Sequence, residues 1–105
     1  MSATRTDGVF QALADPNRRQ IIECLAGDGP ATATGLAGRI GITRQGAAKH
    51  LAGLADAGIV TSTREGREVR FALRDGGLEP GAVWLRSVGD QWERRLSSLK
   101  RHLDV

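Results

Sequence analysis

Cysteine is almost absent from this 105-residue chain. Cys24 stands alone, so an internal disulfide and a multi-cysteine zinc site are both excluded, and a lone thiol fits a reducing compartment. No apolar run approaches the ~20 residues that a membrane span requires, which excludes a transmembrane helix. The start, MSATRTDG, has none of the apolar character of a signal peptide, so a cytoplasmic protein is expected. No nucleophile–base set is visible either. Cys24 and His50 fall in separate predicted helices and the serines belong to no recognised motif, so no catalytic residues and no cofactor are expected. There is no internal repeat, and no low-complexity segment beyond the first eight residues.

What remains is an ordinary globular composition, 40% hydrophobic and 26% charged, of a length that suits one domain. The net charge of +3 is small, but it is concentrated. Residues 1–43 and 75–105 are each neutral. The middle segment, 44–74, sets Arg44, Lys49, Arg64, Arg67, Arg70 and Arg74 against Asp56, Glu65 and Glu68, and so carries the whole excess. A clustered basic region is the electrostatic mark of a polyanion partner.

Periodicity places the elements. Residues 1–8 read as a flexible polar tail, followed by a single domain over 9–104. Val9, Phe10 and Leu13 have helical spacing, and Asp15-Pro16 caps a second helix whose stripe is Ile21, Ile22 and Leu25, with Gly27 ending it. Cys24 within that stripe reads as a buried, inert thiol, with redox sensing the rival reading. Arg18 and Arg19 read as structural, Arg19 at i,i+4 spacing from Glu23. A weaker third helix, TATGLAGRI, starts at Thr32 and stops at Gly41; Thr43 caps a fourth, about 44–57, closed by Gly58. Two short helices joined through a glycine turn form a helix-turn-helix pattern. From Ile59 to Leu73 the period becomes two, with Glu65-Gly66 as the turn: a β-hairpin with Arg64 and Arg67 flanking its tip. A long last helix occupies about 80–103. The fold class is therefore mainly α with a small β-hairpin, a winged helix-turn-helix.

At about 100° per residue, the fourth helix turns Ala47, Leu51 and Leu54 inward and Gln45, Lys49, Gly53 and Asp56 outward. A glutamine, a lysine and otherwise small side chains suit entry into a major groove, where Gln pairs with an adenine edge and Lys reaches phosphate or guanine. Arg44 at the first turn reaches backbone or base. His50 lies beside the inward stripe and reads as a packing residue or phosphate donor, not a metal ligand. Arg64 and Arg67 are candidates for phosphate or minor-groove contact, with Arg70 less suited because Glu68 shares its face. Double-stranded DNA is the partner these features select.

Three pieces, FQALADPNRRQII (10–22), LAGRIGITRQGAAKHLAGLADAGIV (36–60) and TREGREVRFAL (63–73), resemble the ArsR/SmtB family of dimeric bacterial repressors, and the similarity runs from Val9 to Leu103. The resemblance implies a homodimer that binds a two-fold-symmetric operator and releases it on a signal whose identity stays open. It carries DNA recognition onto Gln45 and Lys49, and onto Thr43, Arg44 and His50. Ala48 departs from the pattern, standing where many members have a DNA-contacting serine. Metal-sensing members carry paired cysteines in the third helix or Asp/His ligands in the last. Here the third helix offers Thr32, Ala33 and Thr34, and the last offers Asp90 and His102 without a second His at ligand spacing. The implied member is one without the usual metal sites.

Leu85, Val88, Trp92, Leu96, Leu99 and Leu103, spaced 3, 4, 4, 3 and 4, form a seam close to a heptad. The seam exceeds what a small core covers, so a homodimer through this helix is expected, with the first helix contributing through Phe10. Dimerisation would set two recognition helices about 34 Å apart, one turn of DNA. A second reading stays open: a winged-helix protein-interaction module that uses the last helix and does not read DNA.

Overall fold

The computed structural model describes residues 2–104, with side chains from residue 5 onward. The elements are α1 (Ser2–Leu13), α2 (Pro16–Asp28), β1 (Ala31–Thr32), α3 (Ala33–Ile40), α4 (Arg44–Asp56), β2 (Val60–Glu65), β3 (Glu68–Leu73) and α5 (Glu79–Leu103). Three helices start on side-chain caps. The Asp15 carboxylate accepts from the Asn17 and Arg18 N–H groups at 2.8 and 3.2 Å, and the Thr32 and Thr43 hydroxyls each accept from the third helical N–H at 3.0 Å. Each cap satisfies donors that the first turn of a helix cannot. Gly41, at φ 75°, closes α3 in the left-handed conformation, its N–H bonded to the Ala37 carbonyl.

Three boundaries differ from the sequence reading. Helix α2 runs through Gly27 to Asp28, and Gly29 at φ 87° terminates it, donating to the Leu25 carbonyl. The hairpin pairs Glu65 with Glu68, so its two-residue turn is Gly66-Arg67, and Arg67 sits in the tip itself. Positive φ at Gly66 alone suits the type II′ turn, whose twist matches the flanking strands. Finally, residues 2–8 are helical and extend α1, where a flexible tail was expected. Extending a helix from the anchored Val9 and Ala12 fixes one residue per added bond. At Gly8, α1 lies on the end of α4, where a Cβ would make an ordinary contact 3.9 Å from that of Ala57.

The sheet is antiparallel, in the order β1-β3-β2, with Ala31 opposite Phe71 and Thr32 opposite Arg70. The core gathers Val9 and Ala12 from α1, Ile21, Ile22 and Leu25 from α2, Leu36 from α3, Leu51 and Leu54 from α4, and Ile59 and Val60 where the hairpin begins. Phe71 and Leu73 pack on its edge. After β3 the chain crosses back over the end of α4, with the Arg74 N–H bonded to the Ile59 carbonyl at 2.8 Å.

Helix α5 meets the domain only near its start. Gly81 lies so close to α1 that a Cβ would come within 2.8 Å of the Val9 side chain, and Phe10 meets Trp84 edge-to-face at 5.4 Å. The rest of α5 projects away. The radius of gyration is 18.0 Å and the long axis 68 Å, against about 13 Å for the radius of a compact 100-residue domain.

Two alanine substitutions test this packing with opposite signs. Gly81→Ala overpacks against the stiff Val9 and should cost about 1–3 kcal/mol. Gly38→Ala, in an exposed helix position with nothing within 4 Å of the new methyl, should stabilise by up to about 1 kcal/mol. Urea denaturation of both variants checks the pair.

Candidate nucleic-acid interface

The candidate interface comprises α4 and the wing formed by β2 and β3. Ala47, Leu51 and Leu54 are wholly buried, and this fixes the rotation of α4 about its axis. Arg44, Gln45, Ala48, Lys49 and Ala52 are consequently exposed together. Besides Arg44, Gln45 and Lys49 this face offers only the small Ala48 and Ala52, so the helix backbone can approach a surface closely. Thr43 is exposed, but its hydroxyl is held by the Gly46 N–H, making it the cap that orients the first turn.

The electrostatics of the wing are sharper than its composition indicates. Arg70 Nε bonds the Glu65 carboxylate at 2.9 Å, and its Nη2 stands 3.7 Å from Glu68. One arginine thus occupies both acidic residues of the hairpin. Exposed pairs of this kind add little stability, but they leave Arg64 and Arg67 without an opposing carboxylate. Among the described residues, Arg44, Lys49, Arg64 and Arg67 make no ion pair, and all four are exposed. A groove of about 800 Å³ separates α4 from the wing, with Arg44 and Gln45 on one side and Arg67 on the other.

His50 belongs elsewhere. Its side chain is only 20% exposed, and its Nδ1 lies 3.4 Å from Arg18 Nε and 3.9 Å from an Asp15 oxygen. It ties α4 to the start of α2 and lies beside the outward face, in the packing position that was one of its two sequence-based readings. Arg18 continues past it to lie on Gly53, where a Cβ would meet the guanidinium carbon at 2.8 Å. Gly53 is thus a seat for Arg18, a contact the sequence reading missed because the partners are 32 or more residues apart. Arg19 donates to the Leu13 carbonyl at 2.6 Å, bridging α1 and α2, and makes no ion pair with Glu23. Desolvation works to raise the Asp15 carboxyl, but the Arg18 and Asn17 N–H groups and the nearby His50 and Arg18 charges outweigh it and hold it below its usual value.

Cys24 is half-buried, not enclosed, at a shallow surface pocket beside Asp28 and Arg39. Among the described residues no three His, Cys, Asp or Glu side chains converge as a metal site requires, and no helix is long and apolar enough to cross a membrane.

On α5, Leu85, Val88, Trp92, Leu99 and Leu103 are 44–81% exposed, and Leu96 is half-buried. Phe10 is half-buried against Trp84, at the edge where this line begins.

A capped helix pair followed by a basic antiparallel hairpin defines the winged helix-turn-helix class. Residues 13–63 match the helix-turn-helix domain family. The chain is 44% identical over 68 residues to the HTH-type transcriptional regulator CmtR of Mycobacterium tuberculosis, a match covering 65% of this chain and 57% of that protein. It is 30% identical to the transcriptional repressor SdpR of Bacillus subtilis, over 75% of this chain and 87% of SdpR. An ArsR-like transcriptional regulator from Rhodococcus sp. RHA1 superposes with a TM-score of 0.77 at 36% identity, covering 94% of this chain and 92% of that one. The chain belongs to the ArsR family of winged helix-turn-helix transcriptional regulators.

The depressed Asp15 carboxyl gives a pH test. A group of this kind stabilises the fold above its unfolded value, near 3.9, and loses that contribution as pH falls through its folded value. Asp15→Ala should therefore lower Tm at neutral pH, with the gap from the parent narrowing as pH drops below about 4. Thermal unfolding followed by circular dichroism across pH measures it.

Proposed function

We propose that the protein is a homodimer that binds a two-fold-symmetric site on double-stranded DNA and represses transcription from it. The observation that carries this reading is the outward face of α4: small side chains framed by Arg44, Gln45 and Lys49, beside a wing whose acidic residues are already occupied by Arg70. Gln45 and Lys49 are assigned to base edges or adjacent phosphates, Arg44 to the backbone at the groove's edge, and Arg64 and Arg67 to phosphate or minor groove. Thr43 supports recognition as the helix cap. SdpR is a transcriptional repressor, and the same direction of control is inferred here.

The dimer reading rests on α5. Gly81 packs on α1, and the same helical line then continues through Leu85, Val88, Trp92, Leu96, Leu99 and Leu103 beyond the reach of α1. A heptad-spaced apolar line of this length is satisfied by a second copy of itself. The protein-interaction alternative leaves the concentrated charge of α4 and the wing without a role.

Fragments selected from genomic DNA with purified protein supply the duplex for the decisive test. Lys49→Ala and Arg67→Ala should each reduce the salt dependence of binding by about two units of slope per dimer, while Arg70→Ala, whose charge is engaged internally, should change it less. If operator-like and random duplexes bind equally at every salt concentration, specific recognition is refuted. Separately, Trp92→Glu should shift the protein from dimer to monomer in analytical ultracentrifugation; a monomeric parent protein would contradict the dimer.

A further inference from the structure

The groove between α3, α4 and the wing holds more than a set of cations. Its volume, about 800 Å³, falls in the range of small-ligand sites, about 300–1,000 Å³. Val69 and Phe71, both half-buried on β3, present apolar surface to it, and Ala33 and Ala48 line it from α3 and α4. The groove is open because those two helix positions are alanines; a long side chain at 48 would reach into it. At its rim stand Arg44 and Arg67, from separate elements, neither paired with a carboxylate among the described residues. Glu68, the remaining charged residue in the lining, faces Arg70 at 3.7 Å.

These features select a ligand chemistry. An inorganic anion would satisfy the guanidinium groups and leave Val69 and Phe71 wet. A neutral apolar molecule would cover the floor and desolvate two cations without a partner, which is costly. An anion carried on a flat apolar body does both, its carboxylate taken by the planar donor forks of arginine. We propose that this groove binds an organic carboxylate with an aromatic or short apolar body, and that its occupancy excludes DNA. The exclusion follows because Arg44, Gln45 and Arg67 line the groove and are the same residues assigned to DNA, so this half of the proposal rests on the DNA-binding reading. A ligand that binds only the DNA-free form lowers the apparent DNA affinity in proportion to its own saturation. Such a compound would act as an inducer.

The test uses the full chain and 2-naphthoate as probe. Titration followed by ¹⁵N–¹H NMR should give saturable shifts at the amides of Ala33, Ala48, Val69 and Phe71, with a Kd of about 1 mM or tighter. The uncharged analogue 2-naphthalenemethanol, and 2-naphthoate with Arg67→Ala, should each bind at least about fivefold more weakly. In fluorescence anisotropy with a selected duplex, 2-naphthoate at ten times its Kd should weaken DNA binding about a hundredfold, because each dimer carries two grooves. Shifts confined to the apolar face of α5, no saturation by about 5 mM, or affinity indifferent to both the carboxylate and Arg67 would overturn the site. Groove shifts with unchanged duplex affinity would overturn the exclusion. A protein that binds no duplex even without naphthoate refutes the DNA reading and the exclusion together, and the NMR titration still decides whether the groove takes the anion.

Discussion

The structure turns on the burial of three side chains on α4. Ala47, Leu51 and Leu54 are each wholly enclosed, and no rotation of the helix can expose one of them without opening the core. Loss of a buried Leu side chain costs about 2–5 kcal/mol, a large fraction of the stability of a domain this size. That constraint, applied to the inside of the helix, determines its outside. Gln45, Ala48, Lys49 and Ala52 face solvent because the residues a half-turn away cannot. The Thr43 cap sets where the helix begins, and the contact of His50 and Arg18 across to α2 secures its middle. A rigid helix whose free face is nearly bare becomes a projection that fits a groove.

The second constraint is the shortage of core. A chain of this length buries only about 60–70% of the surface its unfolded form exposes, and α1, about 18 Å long, cannot cover α5, about 37 Å long. The apolar line of α5 therefore outruns its intramolecular partner after Gly81 and Trp84. The charges of residues 75–105 sum to zero, while the segment 44–74 carries the net excess. Association and nucleic-acid contact are thus assigned to different parts of one small fold, with the core between them fixing their relative geometry.

Local physics is what the sequence makes legible. The caps at Asp15, Thr32 and Thr43 are bonds between residues two or three apart, and each is in place. The stripe on α4, the turn at Gly41, the hairpin and the extent of α5 follow from periodicity and glycine chemistry in the same way. What escaped is non-local or a matter of one residue. Strand β1 is two residues long and exists only because Phe71, forty positions on, pairs with Ala31. His50 reads from sequence as either a packing residue or a phosphate donor, and only the fold brings Asp15 and Arg18 beside it from another helix. Arg19 had an adjacent glutamate to suggest a pair, yet it bonds the Leu13 carbonyl. The wing's turn moved by one position because the positive φ sits at the first central residue, Gly66. The neutralisation of both wing glutamates by Arg70 was half visible: Glu68 shares its face in the sequence pattern, but Glu65 reaches it only once the hairpin register is known.

Hydroxyl-radical footprinting on a selected fragment tests whether two copies of α4 read one duplex together. A dimer of this geometry should leave two protected patches on one face of the duplex, centred about 10–10.5 base pairs or a whole multiple of that apart. A single patch, or protection spread evenly along the fragment, would contradict it.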